Sequence, residues 1–225
     1  MEQLASNAPT KIVIPLGTGS KWGDNNELRY SLRSLNRDGV VLVGECPEWF
    51  TGDHIPCNEG GVATLNIWNK LKAACLSPLV SDRFIYANDD YFYLKPLEMA
   101  NWYGTLINGN NAYKDLCRHT MRILKLNDLG TTFWDIHRPM LIDKAKFLEC
   151  YEFFENHTCI GLGLIVKSCY GNYAGMTGIH MPDIKLAYWN GVPDCDMFSI
   201  GDGCLDVRFK AFCEERWPDK SIYEK

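Results

Sequence analysis

The sequence lacks any apolar run approaching the roughly 18 to 20 residues of a membrane-spanning helix. Its opening, Met1-Glu2-Gln3-Leu4-Ala5-Ser6-Asn7, has neither the basic nor the apolar stretch of a secretory signal, so neither a membrane span nor export is expected. An excess of positive charge is missing too. Lys and Arg number 23 against 28 Asp and Glu, a net charge of −5. Nucleic-acid coats and anionic-membrane binders need clustered cations, so neither partner is expected. The ten cysteines include no C-x-x-C pair and are too dispersed for a stapled fold or a zinc knot. Several fall inside apolar patterns, where a free thiol behaves as a small hydrophobe, and a reducing, cytoplasmic compartment is the expectation.

Familiar nucleophile and metal motifs are absent as well. No G-x-S-x-G, H-E-x-x-H or Cys–His signature supports a hydrolase. The loop Gly17-Thr18-Gly19 is followed by Trp22 and Gly23, which breaks the dinucleotide pattern, and it lacks a P-loop lysine. Gly17 and Gly19 could lie against a nucleotide or simply make a turn.

What the chain does have is ordinary globular composition: 225 residues, 46% apolar and 23% charged, enough to bury a continuous core as one domain. Lys11 to Leu16 is a β-prone run. Asp24 and Glu27 have capping-box spacing before Leu28, Leu32 and Leu35, which recur at helical spacing. Val40 to Val43 reads as a strand, Glu45 to Gly61 as a long loop, Val62 to Leu76 as a helix, and Arg83 to Ala87 as a strand. This β-α-β-α-β order predicts a parallel sheet with crossover helices. Beyond it, Asp115 to Leu126 and Asp143 to Glu155 read as helices and Leu164 to Tyr170 as helix or strand. Ile184 to Trp189 reads as a strand, and Leu205 to Trp217 as a helix stopped by Pro218. Seven Trp and eleven Tyr suit either core packing or stacking surfaces for sugars and bases.

The most informative segment is Phe84-Ile85-Tyr86-Ala87-Asn88-Asp89-Asp90. An apolar strand delivers two adjacent carboxylates to the edge where open α/β sheets bind ligands. Such a pair either caps a turn or holds Mg²⁺ or Mn²⁺ together with substrate phosphate oxygens. Arg29 and Arg33 are four apart on one helix face, suited to a diphosphate or to solvation. His137 is a candidate acid/base group, His180 a candidate third metal ligand, and Asp202 either an N-cap or a catalytic carboxylate.

Asp24 to Ser34 together with Phe84 to Asp90 resembles the conserved blocks of the Stealth family of capsular-polysaccharide phosphotransferases. Bacterial and phage nucleotide-sugar glycosyltransferases carry similar blocks. His137 to Lys144 and Trp217 to Glu224 are similar to later blocks of this wider group. The resemblance implies a single α/β domain over residues 1–225, a GT-A-like, Rossmann-like mixed sheet flanked by helices. Residues from about 11–100 would form the nucleotide-sugar half and about 101–225 the acceptor side. It further implies Asn88-Asp89-Asp90 in place of the D-x-D metal motif, with Arg29 and Arg33 beside the donor phosphates. Lys11 to Gly17 departs from the Stealth opening strand, and Asn66 to Lys70 replaces its His-Arg pair. The expectation is therefore a metal-dependent glycosyltransferase, moving a sugar from a nucleotide diphosphate to a saccharide or other hydroxyl acceptor. Sugar-phosphate transfer in surface-polysaccharide synthesis is the first alternative, and a non-enzymatic carbohydrate-binding module the second.

Overall fold

The computed structural model describes residues 10–98, 100–106, 109–157 and 163–225; the opening heptapeptide and Cys159 lie outside them. β1 (Lys11–Leu16) lies between β2 (Val40–Gly44) and β4 (Arg83–Tyr86), parallel to both. The short β3 (Asp53–Ile55) extends the parallel array beyond β2. The expected loop 45–61 is thus interrupted by a strand, because Asp53, His54 and Ile55 find free edge groups on β2.

Side-chain alternation along these strands assigns helices to both faces of the sheet. Ile12, Ile14, Leu16, Val40, Leu42 and Ile85 share one core with Leu28, Leu32 and Leu35 of α1 (Asn26–Leu35). Val13, Val41, Val43, Phe84 and Tyr86 point the other way, onto Trp68, Leu71, Ala74 and Cys75 of α2 (Ala63–Leu76). The parallel β-α-β-α-β expectation holds for this half.

β5 (Tyr91–Tyr93) and β6 (Trp102–Tyr103) follow β4 and leave the main sheet. α3 (Ala112–Leu126) then leads to β7 (Met140–Asp143), which returns antiparallel on the outer edge of β4 and makes the five-stranded sheet mixed. α4 (Lys144–His157) and α5 (Val166–Tyr173) cover the α2 face through Phe147, Cys150, Phe154, Cys169 and Tyr170. β8 (Ile179–His180) pairs with β6. β9 (Lys185–Leu186) and β10 (Met197–Ile200) complete a three-stranded sheet with β5. α6 (Val207–Arg216) closes an aromatic cluster of Phe92, Phe198, Phe209 and Trp189.

Several sequence expectations are corrected. Asp24 and Glu27 form no capping box. Gly23, Asp24 and Asn25 are all left-handed, and the cap residue Asn25 makes no side-chain bond to the first turn. Asp24 instead receives Arg29 at 2.8 Å, and Glu27 accepts the Ser20 hydroxyl at 2.9 Å. The strand expected over 184–189 shortens to two residues, and the last helix starts at Val207 because Asp206 caps it. β5, β7 and β10 are too short, at three or four residues, to show periodicity. Most tryptophans are core residues: Trp49, Trp68, Trp102, Trp134 and Trp189 are buried. Nine cysteines are free thiols, six of them buried. No helix among the described residues is long and apolar enough to cross a membrane.

Candidate active site

Parallel strands bring their carboxyl ends to one edge, and here that edge gathers the loop after β1 and the Ala87–Asp90 turn after β4. β7 runs the opposite way, with Met140 opposite Tyr86. Its entry loop, Asp135 to Pro139, therefore arrives at the same edge. The topology thus brings His137 and the acidic pair to one end of the sheet.

Asn88, Asp89 and Asp90 are half-buried in the turn. Burial raises the Asp89 carboxyl above its ordinary range, and the neighbouring charges of Asp90 and Glu27 raise it further. Asp90 faces the second sheet. Its Oδ2 accepts the Ser199 hydroxyl at 2.7 Å, and Lys185 Nζ lies 3.6 Å from the same oxygen. Register explains the arrangement, since Ser199 pairs with Tyr91 on one side and Lys185 on the other. The other oxygen, Oδ1, is buried with no hydrogen-bond partner among the described residues. A buried carboxylate oxygen without a donor is costly, and so is a neighbouring acid crowded by like charge. Both costs fall if a cation joins the pair. The residues therefore suit a hard divalent ion, with oxygen donors and open acceptor capacity.

His137 is oriented by Asp183. Its Nδ1 lies 2.9 Å from both carboxylate oxygens, and its backbone N–H donates to the same group at 3.0 Å. Burial pushes the Asp183 carboxyl up, but the hydrogen bonds and charge of His137 outweigh it and bring the group down to about 2. An ionised Asp183 holds the Nδ1–H tautomer and leaves Nε2 to accept a proton. Beneath the loop, the buried Lys167 donates to Ile136 O, Arg138 O and Tyr91 Oη, each at 2.9 Å. Burial lowers its proton affinity, while Asp135, Asp183 and Asp90 pull it back up. Arg138 is clamped to Asp196 by two bonds of 2.7 and 2.8 Å. An open groove of about 580 Å³ between the starts of α2 and α3 is lined in part by Tyr113, whose hydroxyl donates to Asp135 at 2.6 Å.

The remaining sequence candidates have other surroundings. Arg29 and Arg33, expected beside donor phosphates, are engaged by the chain's own carboxylates. Glu224 takes Arg33 in a two-bond clamp and lies 3.6 Å from Arg29, which also meets Asp24 and lies over Trp49. Their spacing on one face was legible; their partner, 191 residues along the chain, was not. Gly17 is pressed against Glu59, whose carboxylate binds the buried Lys70, so its loop is held from below. Gly19 is a left-handed turn residue with open space around it. Asp202 is exposed at the head of a short 3-10 turn, Asp202–Cys204, and makes no N-cap bond. His180 stands with Thr105 and Tyr103 rather than with the acidic pair. Among the described residues no three His, Cys, Asp or Glu side chains are grouped to hold a metal unaided. Glu27, Lys167, Asp183, Lys185 and Ser199 were not found from the sequence, because only strand register and long-range packing bring them to the site.

Compared with known protein families and with curated sequences, the chain matches none.

Proposed function

We propose that the protein is a metal-dependent transferase that moves a sugar from a nucleotide diphosphate to a hydroxyl acceptor. The carrying observation is the turn after β4, where Asp90 presents a buried, unpartnered oxygen beside a charge-crowded Asp89. Asp89 and Asp90 would hold Mn²⁺ or Mg²⁺, with Asn88 beside the donor. When bound, such an ion offsets the charge that develops on a departing diphosphate. Lys185, next to Asp90, adds positive charge at the same place. His137, oriented by Asp183, is the group with a free nitrogen to take the acceptor's proton. Asp202, with no such partner among the described residues, is the weaker candidate for that role.

Calorimetry of UDP and GDP, each with Mn²⁺, tests this reading against the Asp89→Asn/Asp90→Asn double variant. Metal-dependent nucleotide binding lost in the variant supports it. Equal binding in both proteins, or binding indifferent to EDTA, removes the assignment. Product analysis then fixes the chemistry: nucleoside diphosphate release means glycosyl transfer, whereas a monophosphate means transfer of the sugar phosphate.

A further inference from the structure

A second groove, of about 670 Å³, opens between β6, α3 and the 130–133 loop. Its floor is apolar, from Leu106, Met121 and Phe133, and its rim carries the hydroxyls of Thr105, Thr131 and Thr132. Two cations, Arg122 and Lys125, stand one turn apart on α3 at this rim, with His180 on β8. Neither Arg122 nor Lys125 has a side-chain hydrogen bond or ion pair with any described residue. Arg118, one turn earlier and outside the groove, is by contrast neutralised by Asp115 at 2.6 Å. In a chain of net charge −5, a cleft holding uncompensated cations is a local reversal of sign.

The walls are preformed. Asn172 grips Thr132 through both its backbone N–H and its carbonyl, at 2.9 and 2.8 Å. Gly104 N–H donates to Phe133 O at 2.9 Å, joining two sides of the floor. His180 Nε2 lies 3.0 Å from the Thr105 hydroxyl, and its ring sits edge-on against Tyr103. Groove and site are also continuous along the chain. Two residues after Phe133 comes Asp135, and three after His180 comes Asp183, the partner of His137.

We propose that this groove binds an oligosaccharide carrying negative charge. Apolar floor, hydroxyl rim and unpaired cations match the C–H faces, hydroxyls and acidic groups of such a chain. The ring of Tyr103 is already in edge contact with Trp134 and His180, at 5.5 and 5.3 Å between ring centres, which crowds it as a stacking platform for a base. That this saccharide is the acceptor rests on the transferase reading; its binding does not.

Titrations of tetragalacturonate, maltotetraose and inorganic phosphate, without nucleotide or metal, test the groove directly. The acidic tetramer should bind at least about tenfold more tightly than the neutral one, and more weakly as salt is added. Arg122→Ala/Lys125→Ala should lose about tenfold or more of that affinity, while Arg118→Ala stays within about twofold. All these positions are exposed on the helix surface, and thermal unfolding confirms that each variant is folded. Equal affinity for acidic and neutral tetramers, phosphate binding as tightly as the acidic tetramer, or no loss in the double variant overturns the proposal. A parallel titration with UDP and Mn²⁺ separates the two readings. Saccharide binding without nucleotide binding upholds the groove and removes the transferase, and the reverse result does the opposite.

Discussion

Glu224 receives Arg33 through both carboxylate oxygens, Nε at 2.8 Å and Nη2 at 2.7 Å, with its own side chain wholly shielded from water. The pair ties the end of the described chain to α1. Around it, Phe50 stacks on Tyr223, and the Tyr223 hydroxyl accepts Val40 N–H and donates to Arg37 O. Removing one member of a buried ion pair leaves the other charge stranded. Arg33→Ala is therefore expected to lose about 3 kcal/mol of stability, read by urea unfolding. Burial raises the Glu224 carboxyl, but Arg33 and the donors of Ser221 together lower it by more, so its net shift is downward. A lowered folded pKa gives stability that is present above the usual carboxylate range and lost as pH falls through the folded value. The variant's deficit should accordingly shrink in strong acid.

Asp89 carries the opposite sign. Burial, then Asp90 and Glu27, raise its carboxyl from 3.8 to about 7. Stability from a raised group is complete below the unfolded value and lost as pH climbs through the folded one. Melting temperature measured from about pH 5 to about pH 8 in EDTA should decline with pH, and Mn²⁺ should flatten the decline. Identical profiles with and without Mn²⁺ would take the cation away from this pair.

Asp89→Asn keeps the shape and removes the crowded charge. At about pH 8 it should be more stable than the parent by more than about 1 kcal/mol, since the rise from 3.8 to about 7 exceeds one pKa unit, while losing metal-dependent nucleotide binding. A variant that loses both stability and binding would mean that Asp89 is a turn-forming residue.

Lys167 is a positioning residue for the loop bearing His137. Lys167→Met keeps the length of the side chain but leaves Ile136 O, Arg138 O and Tyr91 Oη without their shared donor. The expected cost is about 2 kcal/mol, with faster amide exchange concentrated in residues 135–138. If His137 takes the acceptor's proton, turnover should fall with little change in donor affinity. Uniformly faster exchange over the whole domain would reduce Lys167 to a generic core residue.

Gly44 sits at φ +109°, where a Cβ would collide with Leu16 O and lie 2.6 Å from Lys70 Cε. Gly44→Ala should destabilise the protein by more than about 1 kcal/mol and displace Lys70 from Leu16 O, with the loss visible as a lower melting temperature.

The parallel half of the sheet was legible because its strands and helices are long enough to carry a period. Val40 to Val43 is a fully buried run, Leu28, Leu32 and Leu35 mark one helix face, and Asp89 and Asp90 stand where such a strand must end. In the second half the helices at Ala112–Leu126, Lys144–His157 and Val207–Arg216 were legible, but the short strands were not. β7 has four residues and β5 has three, and their pairing is set by partners far away in sequence. The same limit hid the partners of the site candidates. Arg29 and Arg33 announced a positive helix face, but nothing local announced Glu224. His137 stood out as a titratable residue, read as preceding a helix where the strand β7 begins, whereas nothing local marked Asp183, which fixes its tautomer. Asp24 and Glu27 had the right spacing for a cap, and three consecutive left-handed residues turned both side chains elsewhere.

Ser199 reaches Asp90 only because β10 meets β5 and β9 in one particular alignment. Shifting β10 by a single residue would exchange the inward and outward sets, offering Phe198 or Ile200 to the carboxylate in place of a hydroxyl. The small edge sheet thus behaves as a vernier. Added or deleted residues between β9 and β10 can be absorbed by the connection, whereas one extra residue within Met197–Ile200 would change the polarity met by Asp90 while leaving every candidate site residue present.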